Sequence, residues 1–195
     1  GTMQLGDHNY IFGSSNQVID NSKQTTVVGY LNKIGGDSDY STLIGSESFL
    51  GFRDDGDASG SFDSKQCFVA GYKNTVLGFA NTIIGNNVLA YEGTETSVGI
   101  GSNVILNTDA GIGNTSTLIR GAVSIGDRSK VTGNYGVAVG YRAEALSVNG
   151  TAIGNYSEVN AIDAVALGGA YVPSTAEQSI SIGLYSYTNG PGSIA

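Results

Sequence analysis

The sequence has one histidine, one cysteine, two prolines and no tryptophan. Charge is scarce as well: 13% of the 195 residues are Asp, Glu, Lys or Arg. Each scarcity excludes something. A lone Cys67 closes no disulfide within the chain and completes no CxxC-type metal site. It opens CFVAG and reads as a small buried strand residue. His8 lies near a terminus, and no Ser-His-Asp or Cys-His set can be assembled around it. No catalytic residue is assigned, no enzymatic activity is expected, and neither a cofactor nor a bound metal is implied. The formal net charge is −8, with no basic stripe, so nucleic acid is not an expected partner. No apolar run approaches about 18 residues, so no segment is expected to cross or insert in a membrane as a helix. No signal peptide is visible behind the opening GTM.

Glycine is abundant instead, at 30 residues, without the G-X-Y period of collagen. The rest is rich in Val, Ile, Thr, Ser, Asn and Tyr, which suits strands and tight turns. Three segments near the middle read almost alike: VSIGDRSKV, VAVGYRAEA and TAIGNYSEV. Aligned on the glycine after each apolar triplet, about twelve coils appear, at Gly13, Gly29, Gly45, Gly71, Gly85, Gly101, Gly113, Gly126, Gly140, Gly154, Gly168 and Gly183. The commonest step is 14 residues. That is too short for a strand and a crossover helix, so a βαβ unit is excluded. A parallel β-solenoid fits, with coils stacked at about 4.8 Å into a rod of roughly 55–60 Å.

Two columns recur. The residue before the glycine is apolar in every coil, from Phe12 to Ile182. Five residues after it come Val18, Ile34, Leu50, Val76, Ala90, Leu106, Leu118, Val131, Ala145 and Val159. This second column fails only at Pro173 and Thr188. The glycines, Gly85, Gly101, Gly126, Gly140, Gly154 and Gly168 among them, are structural. They supply either a positive φ or a close approach of two backbones.

Strand side chains alternate between faces, so the position two before the glycine faces opposite to its neighbours. That column contains Ile11, Val27, Leu43, Val69, Ile83, Ser124, Ala138, Ala152 and Ala166. The flanking positions are expected to fill each coil's own core and the middle one to face out. A continuous apolar stripe should then be covered by copies of itself, as a trimer interface. The change from large to small residues near Gly99 predicts a bundle wider at its N-terminal end.

The segments VSIGDRSKVTG, VAVGYRAEALS and TAIGNYSEVNA resemble the head repeats of trimeric autotransporter adhesins of the YadA-like type. The resemblance implies an all-β, left-handed parallel β-roll, intertwined as a homotrimer, over residues 1–195. Residues 184–195 would be the end of the head or the start of a neck. It further implies a non-enzymatic adhesion or receptor-binding head, exposed at a bacterial cell surface. Such a head attaches a fibre to host cells or extracellular matrix, through a matrix protein or a surface glycan. Similar repeats occur in bacteriophage tail fibres and spikes. The alternative is therefore a receptor-binding head on a virion tail, recognising a bacterial surface glycan or protein.

The step from Gly45 to Gly71 carries an insertion of about residues 52–66. Insertions in solenoids become loops on one face, often the binding face. Arg53, Asp54, Asp55, Asp57 and Asp63 are its candidate ligand-binding residues. Asp55, Asp57, Ser59, Gly60 and Asp63 partly match a calcium loop, but Gln66 stands where the bidentate Glu belongs. The loop reads as a solvated acidic segment able to dock a basic partner. Tyr30, Tyr72, Tyr141, Tyr156, Tyr171 and Tyr185 recur at or just after the glycines. They suit either packing over neighbouring coils or contact with sugar or protein.

Overall fold

The computed structural model describes residues 8–18, 22–35, 38–51, 64–107 and 119–195. Among these the chain is all β, without a helix. It is a parallel β-solenoid with two principal sheets. The triplet strands form an eleven-stranded sheet, from Tyr10–Ser14 through Val98–Ser102 to Ile180–Ile182. The return strands form a ten-stranded sheet, from Gln17–Val18 to Tyr171–Val172. All pairs are parallel and in register on the repeat: Ala138 pairs with Ala152, and Ala152 with Ala166. A small third sheet pairs Thr94–Glu95 with Ile119–Arg120.

No described strand lies between Val98–Ser102 and Val123–Ile125 in the triplet sheet, where the sequence places a coil at Gly113. Val98–Ser102 pairs directly with Val123–Ile125, Gly99 opposite Ser124. The apolar-glycine motif at Ile112-Gly113 falls in residues 108–118, which lie outside the described residues.

The facing of the triplet strand is the reverse of that expected from the sequence. Val27, Leu43, Val69, Ile83, Ser124, Ala138, Ala152 and Ala166 are all 0% exposed within one chain. Ile11, in the first strand, packs against the same core. These residues fill each coil's own lumen and are not a trimer interface. The reason is width. In the coil from Val137 to Gly150 only Ala138, Ala143, Ala145 and Gly150 are buried. Each strand contributes one inward side chain and each corner another, so a 14-residue coil has no room for two inward residues per strand. The flanking positions must point out.

The large-to-small change consequently adjusts the coil, not a bundle of chains. The 16-residue coils that open at Thr26 and Thr82 enclose Val27 and Ile83; the 14-residue coils that open at Val137 and Thr151 close around Ala138 and Ala152. Gly99 marks the crossover. A Cβ there would meet Ile83, Leu106 and Val88 side-chain carbons, each at 3.1 Å. Bulk has passed to the corner residues Val88 and Val104.

The return-strand column is buried throughout its described length. Of its two apparent failures, one is a shift of register and the other a polar residue buried in the regular place. Between Gly168 and the return strand the corner is one residue short, so Val172 fills the lumen in place of Pro173. Thr188 is buried after all, where its hydroxyl accepts a hydrogen bond from Ser179 at 3.3 Å.

Both suggested causes operate at the repeat glycine: at Gly71 φ is +126°, and a Cβ would fall 1.8 Å from the Gly85 carbonyl oxygen. The left-handed conformation is not confined to glycine. Leu31, Tyr40, Lys73, Gln66, Arg142 and Asn149 hold φ between 52° and 59° at the corners. Each such residue sacrifices about 1 kcal/mol or more of backbone energy. In return its N–H donates to the preceding coil, as Leu31 does to the Ser14 carbonyl and Arg142 to that of Asp127.

The N-terminal corners also carry buried amides. Asn32 Nδ2 donates to the Gly45 carbonyl at 2.8 Å and to Asn16 Oδ1 at 3.1 Å. Its Oδ1 accepts from the Ser48 N–H at 3.2 Å. Replacing Asn32 by alanine strands these groups in the interior. A loss of about 3 kcal/mol in urea unfolding is expected.

Candidate interaction surfaces

Three surfaces emerge from this geometry. The first is the outward face of the triplet sheet. It presents two columns, including Thr82 with Ile84, Val137 with Val139, and Thr151 with Ile153. Ile84 is 41% exposed, Ile153 42% and Ile182 56%. Neither column contains a charged residue in any of the eleven strands. At 4.8 Å per rung the face is about 50 Å long. A soluble monomer does not normally leave so continuous an apolar face to water.

The second is a shallow groove of about 400 Å³ on the return sheet, lined by Lys33, Phe49, Lys73 and Leu89 among others. The Lys33 ammonium lies 5.8 Å from the Phe49 ring centroid. Lys73 sits 5.1 Å from the Tyr72 ring and 3.7 Å from the Glu47 carboxylate. The Tyr72 contact first, then the Glu47 charge, holds the Lys73 amine above its usual pKa. Both lysines are thus already engaged.

The third is aromatic. Tyr141 and Tyr156 meet edge to face at 5.4 Å, with the Arg142 guanidinium 5.6 and 5.5 Å from their centroids. Farther along, Tyr171 and Tyr187 stack at 5.6 Å with 12° between their planes. Tyr156, Tyr171, Tyr185 and Tyr187 line a cleft of about 760 Å³. Periodicity brought out Tyr156, Tyr171 and Tyr185 but missed Tyr187, which pairs with Tyr171 across an isolated bridge.

Arg53, Asp54, Asp55, Asp57 and Asp63 lie outside the described residues. His8 is exposed at a corner with φ of 67°. Among the described residues no three His, Cys, Asp or Glu side chains come together as a metal cluster.

Cys67 stands just before its strand, at a corner where other coils place Ser41, Asn81 or Ser97. Its Sγ–H donates to the Gly78 carbonyl at 3.1 Å. Burial pushes the thiol up to about 11, against an opposing contribution from nearby backbone hydrogen bonds. The folded protein is therefore expected to resist iodoacetamide at pH 8 and to react once unfolded, which mass spectrometry reads directly. Because the folded pKa exceeds the unfolded one, this site's contribution to stability is intact below pH 9. It is lost as pH rises toward 11.

The family model described as YadA head domain repeat (2 copies) matches residues 120–143, 145–170 and 174–195. The C-terminal coils are thus similar to YadA head repeats. Among solved structures, the chain is similar to the collagen-binding domain of the Yersinia adhesin YadA. The match has 16% identity and a TM-score of 0.38, covering 89% of this chain and 67% of that one. No curated protein matches.

Proposed function

We propose that the chain is a non-enzymatic adhesion head, acting as a homotrimer at the tip of a bacterial surface fibre. The carrying observation is the uncharged apolar face of the triplet sheet, which runs the length of the coil stack. Three such faces around one axis would bury it, and a threefold bundle encloses an inner face more fully than a pair does. The subunit contact then runs through Ile84, Val139, Ile153 and their columns, in place of the buried middle column. The head repeats over residues 120–195 support the adhesin reading.

Its target would be a host-cell surface, a matrix protein or a surface glycan. Labelled protein offered to matrix proteins, epithelial cells and bacterial envelopes tests this. Binding to matrix or cells is expected. Binding confined to bacterial envelopes would contradict it and favour the head of a phage tail fibre, exposed on a virion.

A further inference from the structure

We propose that the tyrosine cleft near the C-terminal end is a binding site for a neutral oligosaccharide. This rests on the adhesion reading and names one class of ligand for it. The cleft has a specific structural origin. In the preceding coil four residues lead from Gly154 to the return strand at Glu158; in the next, only three lead from Gly168 to Tyr171. The register confirms the deletion, since Glu158 pairs with Tyr171 while Val159 pairs with Val172.

The shortened corner is built from Gly168, Gly169 and Ala170. It lacks the bulky left-handed residue that Tyr156 supplies in the coil before and Tyr185 in the coil after. An entire side-chain position is therefore empty between two exposed tyrosines. Gly169 keeps it open: a Cβ there would come 3.0 Å from Leu184 Cδ1 and 3.1 Å from the Asn155 carbonyl oxygen. Backbone pairing holds the notch in shape. Gly169 N–H donates to Ser157 Oγ at 2.9 Å, and its carbonyl accepts from the Tyr185 N–H at 3.2 Å.

The lining matches a sugar in three respects. A pyranose has an apolar C–H face, and the stacked pair Tyr171–Tyr187, its planes 12° apart, offers an aromatic surface against which that face can pack. Its hydroxyl rim needs both donors and acceptors, which Asn155, Ser186 and the phenols supply. No charged residue lines the cleft, and the chain carries a net charge of −8. A neutral glycan is favoured over a sialylated or sulfated one, which long-range repulsion would oppose. The volume lies within the range of small-ligand sites. The Arg142 guanidinium packs over the Tyr156 ring at 5.5 Å and restricts that ring before a ligand arrives. Tyr185, 88% exposed, is the ring with most area left to bury.

The cleft lies at a corner and on the return sheet, apart from the two outward columns proposed to join subunits. The two ideas can therefore fail separately. The test is saturation-transfer NMR and calorimetry on the full chain with neutral tetrasaccharides built from glucose, galactose and N-acetylglucosamine. A sialylated tetrasaccharide and a sulfated one serve as comparisons. Binding of at least one neutral probe is expected. Tyr185→Ala and Tyr187→Ala should each weaken it about tenfold. Inserting an asparagine between Gly169 and Ala170 restores the four-residue corner and should abolish binding, with the melting temperature recorded to show the fold intact.

Binding unaffected by either tyrosine change overturns the site, as does selective binding of the charged probes. So does loss of adhesion to a protein target in the tyrosine variants without any saccharide binding, which would make the cleft a protein contact. If the unaltered chain adheres to cells but takes up no sugar, the cleft proposal falls while the adhesion reading stands. If it adheres to nothing yet binds sugar here, the reverse holds.

Discussion

Gly71→Ala is expected to disrupt the solenoid stack, while Gly183→Ala leaves it intact. Both glycines have positive φ, +126° and +112°, so alanine costs each about 1–2 kcal/mol of backbone strain. The difference lies in the space. At Gly71 a Cβ would sit 1.8 Å from the Gly85 carbonyl oxygen and 2.9 Å from its carbon. Those are backbone atoms of the next rung, fixed by ladder pairing in both sheets of the coil. They can retreat only by parting the two coils, which gives up their hydrogen bonds. At Gly183 nothing lies within 4 Å. The expected loss is about 4 kcal/mol or more at Gly71 and no more than about 2 at Gly183, read by urea unfolding. Equal losses would mean that positive φ alone, and not coil contact, explains the glycine column.

The second large effect separates inside from outside using adjacent residues. Ala152 is 0% exposed, stacked between Ala138 and Ala166. Leucine there overfills a lumen already lined by alanines and is expected to destabilise the coil by about 3 kcal/mol. Ile153, the next residue, points away from the coil. Ile153→Asp should leave the circular dichroism spectrum unchanged but dissociate the assembly, because three carboxylates would be buried at one level of the proposed axis. Thermal melting and light scattering on both variants are sufficient. If Ala152→Leu dissociates the assembly while Ile153→Asp unfolds the chain, the facing described for the triplet strand is inverted.

That facing is also where the sequence was hardest to read. The period, the repeat glycine and the return-strand column are legible because each recurs at fixed spacing and each is required by stacking. Whether an apolar column faces a core or a partner is not written in its hydropathy. Two flanking columns of Val and Ile look more like a core than one column of Ala and Ser. The decision belongs to the coil's width, which admits only one inward residue per strand.

Ile112-Gly113 shows the opposite problem: it matches the motif, yet Val98–Ser102 pairs directly with Val123–Ile125. The left-handed corners were hidden because residues as different as Leu31, Lys73 and Tyr156 adopt them. Hydrogen bonding to the preceding coil, not residue type, selects that conformation. The tyrosine cleft was hidden by aligning on glycines. Gly154 to Gly168 is a regular step, and the missing residue shows only when Glu158 is set against Tyr171.

The central claim is that the outward face of the triplet sheet joins three copies of the chain. Multi-angle light scattering on the intact protein, at concentrations spanning two decades, measures it most directly. A mass of three chains is expected, about 60 kDa from 20.0 kDa each, falling to one chain for Ile153→Asp. A monomer that persists at the highest concentration, and after fusion to a trimeric coiled coil keeps its triplet-sheet face open to hydrogen exchange, would contradict it.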